Sequence, residues 1–256
     1  MFRQMKAVFF SFCVAAAMLI AVCRAGGAAQ ELNASKDCKR LDIKVAGQVS
    51  VPRCYHEGLY YDGKALWLSN GEGGNTWVVD VETGAVLSEI KGVADFTEAV
   101  TARGDGTFYT TEWYAKSVYR VRLEGGAFVV DSSVCVEPSH PAGAIWNGKR
   151  LYVVAWDRGI WGTKFSLLEM DDSMSVIRKV PIRAMQEPCQ LAWDGKYLWM
   201  SSWYDRRVYK VDVERMEAIG YFCSPVERTT GIAWDGKYLW LTATHGDLYK
   251  IEILTK

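Results

Sequence analysis

The sequence carries no net charge and has few of the residues that bind transition metals. Its 256 residues include 30 lysines and arginines, 30 aspartates and glutamates, and three histidines. Without an excess of basic residues, the composition gives no sign of a nucleic-acid partner. The cysteines form no Cys-x-x-Cys spacing, so we expect no zinc site and assign no metal or cofactor. Calcium needs only oxygen ligands and stays open on composition alone.

Low-complexity tracts and linkers are also lacking, and no helical stretch interrupts the pattern after the first thirty residues. A chain of this length with half of its residues hydrophobic can bury one large core. We therefore predict a single domain over residues 30–256.

The N-terminus has the order of a secretory signal peptide. Arg3 and Lys6 precede an apolar run, residues 7–23, which is followed by Arg24 and small residues. Cleavage is predicted before Gln30, so residues 1–29 are the signal peptide. The mature protein is then secreted or periplasmic, without stable insertion in a membrane. An uncleaved anchor is the alternative, because the run approaches the roughly 20 apolar residues that span a bilayer. A lipoprotein cut at Cys23 is a weaker one.

An odd number of cysteines remains after cleavage. They are Cys38, Cys54, Cys135, Cys189 and Cys223. An exported protein meets conditions that permit disulfides, yet at least one of these thiols must stay free or pair between chains. We expect most of them to be buried core residues.

One hairpin recurs five times. The turn dipeptides Asp62-Gly63, Asp105-Gly106, Asn147-Gly148, Asp194-Gly195 and Asp235-Gly236 follow one another about every 43 residues. Such dipeptides favour type I′ turns between antiparallel strands. A third strand with alternating apolar residues follows each hairpin, and a fourth follows in four of the repeats.

This repeat predicts an all-β fold, a five-bladed β-propeller with four strands in each blade. The fifth repeat ends after three strands, while residues 41–51, which form a strand-like segment, precede the first hairpin. We predict that this segment pairs with residues 247–253 and closes the propeller with an N-terminal strand, which removes the open sheet edges.

The candidate site residues are those that the repeat places at one mouth of the central channel. Glu57 and Glu98 begin neighbouring inner strands, where two carboxyl groups close together suit acid-base catalysis. Three tryptophans are predicted to end second strands at equivalent positions and to form an aromatic wall for a small molecule or peptide. The residues predicted to bind substrate are Trp113, Trp156, Trp203, His245 and Asn70. Structural readings stay open: the carboxylates could serve hydrogen bonds or ion pairs, and the tryptophans could serve packing between blades.

Across residues 41–255 the sequence resembles the plant and bacterial type of glutaminyl-peptide cyclotransferase, a five-bladed propeller family. The family's Phe-Thr-Gln-Gly-Leu pattern corresponds to residues 55–59, and its Phe-Gly-Glu-Gly pattern to residues 96–99. Trp113 and Trp203 match family tryptophans at the ends of blades two and four. Residues 231–235 also resemble the family's last blade.

The resemblance implies a reaction in which the α-amine of an N-terminal glutamine attacks its own side-chain carboxamide, forming pyroglutamate and releasing ammonia. The family's catalytic carboxylate aligns with Leu68, and a family lysine aligns near His245. Two readings follow. Either Glu57 or Glu98 has taken over proton transfer, or the protein is a noncatalytic ligand- or peptide-binding propeller. A calcium-dependent lactonase-like propeller ranks last, because few channel oxygen ligands are present.

Overall fold

The computed structural model describes residues 30–254 and consists of strands joined by turns. The predicted signal peptide, residues 1–29, lies outside the described residues. Within 30–254 there is no helix, and so none that could cross a membrane. The strands are β1 Asn33–Arg40, β2 Asp42–Val49, β3 His56–Tyr61, β4 Leu66–Asn70, β5 Asn75–Val79, β6 Val86–Lys91, β7 Thr97–Ala102, β8 Thr107–Glu112, β9 Ser117–Glu124, β10 Ala127–Cys135, β11 His140–Trp146, β12 Leu151–Gly159, β13 Gly162–Met170, β14 Val176–Pro181, β15 Pro188–Trp193, β16 Leu198–Ser202, β17 Arg207–Asp212, β18 Glu217–Cys223, β19 Thr229–Trp234, β20 Leu239–Ala243 and β21 Leu248–Leu254.

Most strands form antiparallel sets of four in chain order. The sets are β3 to β6, β7 to β10, β11 to β14, and β15 to β18, and β19 to β21 are completed by β2. A single parallel bridge between Lys91 and Ala127 joins the first two sets into one eight-stranded sheet. The first strand of each set contacts the first strand of the next, and β19 contacts β3.

The N-terminal strand β2 runs antiparallel to the last strand, β21. The register extends from Asp42 opposite Leu254 to Val49 opposite Leu248. This is the pairing expected for residues 41–51. Two distant parts of the chain therefore share one sheet.

The preceding strand, β1, was not predicted from the sequence. It lies parallel to β18 as a fifth strand on the outer edge of that set. Just before it, Leu32 donates a backbone hydrogen bond to Pro181 at 2.8 Å, and its side chain is fully buried. The alternating pattern did not reveal β1 because most of its side chains are exposed.

Three of the five recurring turns are held by a hydrogen bond between an aspartate and the tryptophan five residues later. Asp194 accepts the indole N–H of Trp199 at 2.8 Å, and its other carboxylate oxygen accepts two backbone N–H groups. The same bonds join Asp62 to Trp67 and Asp235 to Trp240. Only the glycine of each dipeptide has positive φ, near 95° at Gly195. The expected type I′ turn is therefore wrong, because the aspartate lies one position earlier and caps the turn, as in type II′.

Candidate functional site

Five residues at matching positions, one in each first strand, line a single cavity. They are Glu57, Glu98, Ala142, Cys189 and Thr230. In every set the pairing of the first two strands shifts register at this position. A β-bulge re-aims the side chain of the bulged strand. The repeat therefore directs five equivalent side chains at one point.

The strands around this point lie too close for ordinary side chains. A Cβ on Gly58 would lie 2.5 Å from the backbone oxygen of Glu98, and one on Gly231 would lie 2.7 Å from the backbone oxygen of Glu57. Glycine permits this approach because it has no Cβ. The backbones that carry the two glutamates are consequently in direct contact.

The cavity has a volume of about 290 Å³, and aromatic residues form nearly half of its lining. Its aromatic lining consists of Tyr55, Phe96, Trp113, Tyr114, Trp156 and Trp203. The charged lining consists of Glu57, Glu72, Glu98 and Arg158. An aromatic enclosure with a few convergent polar groups is typical of a small-ligand site.

Burial dominates the electrostatics of Glu57 and Glu98. Their side chains are almost inaccessible to solvent. Burial raises the pKa of Glu57 from 4.5 to about 8. Burial raises the pKa of Glu98 well above its usual range, and the neighbouring charges of Glu57 and, to a smaller extent, Glu112 raise it further. Neither carboxyl group hydrogen-bonds or ion-pairs with another residue in the described part of the chain. The pair therefore retains protons near neutral pH and stays available to a ligand.

A third buried carboxyl group, that of Glu112, differs from Glu57 and Glu98 because it has hydrogen-bond partners within the protein. Burial raises its pKa to about 7, but its carboxylate accepts a hydrogen bond from the Thr97 hydroxyl at 2.9 Å and one from the Phe96 backbone N–H. It does not line the cavity. Glu112 thus supports the strand end structurally, and it serves as an internal comparison for the other two.

The three predicted tryptophans all line the cavity, and they occupy equivalent positions. Each faces the residue two positions before the cavity-lining residue of its first strand: Trp156 pairs with His140, and Trp113 and Trp203 donate backbone hydrogen bonds to Phe96 and Glu187. Trp113 and Trp203 directly follow the ends of β8 and β16, as expected. The expectation of a strand end is wrong for Trp156, because β12 continues past it to Gly159.

The indole groups of these tryptophans nevertheless have different environments. Trp156 is buried, donates to the Pro188 carbonyl at 2.7 Å and meets Trp113 edge to face at 5.6 Å. Trp203 is half-buried under the guanidinium of Arg228, and its indole N–H is buried without a hydrogen-bond partner among residues 30–254.

The structure places Asn70 and His245 outside this cavity. Asn70 uses its side-chain oxygen to accept backbone N–H groups of Tyr55 and Gly73, which holds the turn. His245 is exposed, hydrogen-bonds the Cys54 carbonyl at 2.9 Å and lines an adjoining depression that shares Tyr55 and Trp203.

The structure also gives the locations of Leu68, which aligns with the family carboxylate, and of Cys189, whose position the composition did not indicate. Leu68 is fully buried among apolar side chains of the first and last sets, and it does not line the cavity. Cys189 lines the cavity and is buried, and desolvation raises its thiol pKa. No motif marks Cys189 or Arg158. Counting positions back from each turn would have found Cys189, whereas nothing in the sequence indicates Arg158.

The remaining cysteines and acidic residues form neither disulfides nor a metal site within residues 30–254. Within residues 30–254 the five cysteines are free thiols, and Cys135 and Cys223 are exposed while only Cys189 is buried, so the expectation that most would be buried is wrong. They lie at strand ends, where side chains face solvent. Within residues 30–254 no cluster of three or more His, Cys, Asp or Glu side chains is arranged to hold a metal ion.

Comparisons with known proteins identify the fold. No known family matches the sequence, and no curated protein is similar to it. The solved glutaminyl cyclase from Myxococcus xanthus is similar in structure, with a TM-score of 0.69, 12% identity and coverage of 85% of this chain and 100% of that one. The PQQ-bound aldose sugar dehydrogenase from Streptomyces coelicolor has a TM-score of 0.57, 14% identity and coverage of 83% and 98%. The Cps50 β-propeller domain from Myceliophteria thermophila has a TM-score of 0.50, 11% identity and coverage of 83% and 100%.

The chain has an all-β, propeller-like fold. At these identities the likeness extends to the fold alone, because one propeller architecture hosts many activities.

Proposed function

We propose that this protein is an exported, five-bladed propeller that converts N-terminal glutamine to pyroglutamate and releases ammonia. The five sets of strands are its blades, and the pairing of β2 with β21 closes the ring. The observation that carries the proposal is the pair of buried carboxyl groups, Glu57 and Glu98, in an aromatic cavity at the channel. The similarity to the Myxococcus xanthus glutaminyl cyclase supports it at the level of fold.

Glu57 is the proton-transfer group in this proposal. We assign the transfer to Glu57 because burial raises its pKa to about 8, while burial and the charge of Glu57 raise the pKa of Glu98 well above its usual range. The α-amine of a peptide titrates in the same range, about 8. At that pH a fraction of the complexes therefore holds an ionised Glu57 beside a neutral amine, as base catalysis requires.

The reaction then balances within the substrate. The α-amine nitrogen attacks the side-chain carboxamide carbon, and the new C–N bond closes a five-membered ring. Glu57 accepts the proton that the amine loses and returns it to the departing nitrogen, which leaves as ammonia. Glu98 stays protonated and donates a hydrogen bond.

The test is ammonia release from a glutaminyl peptide by the purified protein. We expect turnover that falls at least 100-fold in Glu57→Gln and Glu98→Gln. Glu112→Gln is the matched control, because it removes a buried carboxyl group of raised pKa that does not line the cavity. Equal losses in all three variants would indicate a structural role, and no release by the parent protein would reject the activity.

A second candidate is a ligand-binding propeller without catalysis. The buried Leu68 favours it, because leucine cannot transfer a proton and occupies the position that aligns with the family carboxylate. This candidate predicts that a glutaminyl peptide binds with an affinity that depends on Trp203 while no ammonia is released.

Export is part of the same proposal. Removal of residues 1–29 would leave Gln30 as the first residue and place the protein outside the cytoplasm. Mass measurement of the protein recovered from the secreted or periplasmic fraction tests the cleavage site. A chain that retains Met1 in that fraction would contradict it.

A further inference from the structure

One cationic side chain in the cavity, that of Arg158, forms no hydrogen bond or ion pair with residues 30–254. The guanidinium of Arg158 lies 4.9 Å from the centre of the Trp113 ring and 5.9 Å from that of Trp156. Trp156 and Arg158 are two residues apart on β12, so both side chains leave the same face of the strand. Stacking on two indole rings holds the planar guanidinium in place without occupying its N–H donors.

The donors of Arg158 have no acceptor in the described part of the chain. Arg158 forms neither a hydrogen bond nor an ion pair with residues 30–254, although Glu98 lies near enough to interact with its charge. The adjacent acid, Asp157, is engaged elsewhere, with Lys179 at 3.0 Å and with the Ser139 hydroxyl. A positioned guanidinium with free donors is suited to a planar anion.

We propose that Arg158 recognises a carboxylate of the ligand, so that the cavity selects molecules with an amine near one end and a carboxylate near the other. The placement of the amine at Glu57 and Glu98 rests on the proposed function, whereas the recognition of the carboxylate rests on Arg158 alone. A cavity of about 290 Å³ holds one or two amino-acid residues rather than a folded protein. The carboxylate belongs either to the free C-terminus of a very short peptide or to an acidic side chain at its second residue.

Binding of asparaginyl dipeptides tests this without relying on turnover, since the asparagine side chain is too short to close a five-membered ring on its own amine. Three probes separate the sources: Asn-Gln with a free carboxylate, amidated Asn-Glu, and amidated Asn-Gln, which lacks a carboxylate. Tryptophan fluorescence at pH 7 reports their affinities. We expect at least one carboxylate-bearing probe to bind about tenfold more tightly than the neutral one.

The variants decide whether Arg158 is responsible. Arg158→Gln should remove the tenfold preference and leave thermal unfolding unchanged, because the side chain is exposed. Arg158→Lys should retain only part of it, because a lysine keeps the charge but loses the planar pair of donors. Arg228→Gln is the matched control, since Arg228 also stacks on a cavity tryptophan, Trp203 at 5.2 Å, but does not line the cavity.

Preference for the free-carboxylate probe identifies a short peptide end, and preference for Asn-Glu identifies an acidic second residue. Equal binding of all three probes, or a preference that survives Arg158→Gln, would overturn the proposal. Absence of ammonia release in the separate activity assay would not, because these measurements involve no catalysis.

Discussion

Gly58 lies so close to Glu98 that a Cβ on Gly58 would be 2.5 Å from the backbone oxygen of Glu98. The contact joins the first strands of two neighbouring sets at the level of the cavity. It places Glu57, the residue before Gly58, beside Glu98 without any side-chain bond between them. The geometry of the carboxyl pair is therefore a property of backbone packing.

Gly58→Ala should disturb this contact. Because the two nearest atoms that the new methyl group meets belong to the backbone, the strands must separate, and we expect the free energy of unfolding to fall by about 1–3 kcal/mol. Gly47→Ala is the control, since its Cβ would meet only a side chain at 3.8 Å. Chemical denaturation measures both. A Gly58→Ala protein as stable as Gly47→Ala would show that the strands yield at no cost.

Stability should depend on the protonation of the carboxyl pair. The pKa of Glu57 rises from 4.5 to about 8 on folding, and that of Glu98 also rises, so the folded protein binds more protons than the unfolded chain between these values. The free energy of unfolding is then greatest below pH 4.5, as far as these groups contribute, and it falls as pH increases through 8.

The double variant Glu57→Gln, Glu98→Gln should flatten this dependence. A smaller decrease of the free energy of unfolding with pH should remain in the variant, because burial also raises the pKa of Glu112, to about 7. Denaturation at several pH values between 5 and 9 makes the comparison. A parent protein that becomes more stable with rising pH over this range would contradict the assigned pKa shifts.

Substitution of Trp203 should mainly weaken ligand binding, whereas substitution of Trp199 should mainly lower the stability of the fold. Trp203→Ala should weaken ligand binding by about 1–3 kcal/mol. It should cost less stability than Trp199→Ala, because Trp203 is only half-buried and Trp199 is 2% exposed. Trp199→Ala should lower the free energy of unfolding by about 3–5 kcal/mol.

Trp161→Ala is the control for the effect of the other two tryptophan substitutions on stability. Trp161 is 93% exposed at the tip of the β12–β13 hairpin, so Trp161→Ala should leave stability within about 0.5 kcal/mol of the parent. If Trp203→Ala unfolds the protein as severely as Trp199→Ala, Trp203 is a packing residue and the assignment of the cavity wall fails.

The N-terminal segment should be essential to cooperative folding. Removing residues 30–50 deletes β1 and β2 and leaves β21 as an unpaired edge. We expect the shortened protein to lose its cooperative thermal transition. Leu32→Ala is a milder test of the newly found anchor, with an expected cost of about 2–4 kcal/mol, because that side chain is fully buried. A shortened protein that melts like the parent would show that β2 contributes nothing to the fold.

The repeat, the hairpins and the role of residues 41–51 as a strand could be read from the sequence. These features depend on local chemistry: a turn dipeptide, its flanking alternation and the tryptophan five residues later lie within about a dozen residues. The unpredicted strand β1 had no such signal, because its exposed side chains do not alternate. The sequence could also place Glu57 and Glu98 at the starts of neighbouring strands, since this follows from the repeat alone.

Only the tertiary structure decided what those residues can do. The bulges that direct five side chains toward one cavity arise from the pairing of the first and second strands of each set. The burial that raises the pKa of Glu57 comes from residues far from it in the sequence. Only the structure shows that β12 extends beyond Trp156 and carries Arg158 to the cavity, where its guanidinium stacks on Trp113, 45 residues away in sequence. Desolvation and ring stacking depend on distances between segments, which one sequence does not contain.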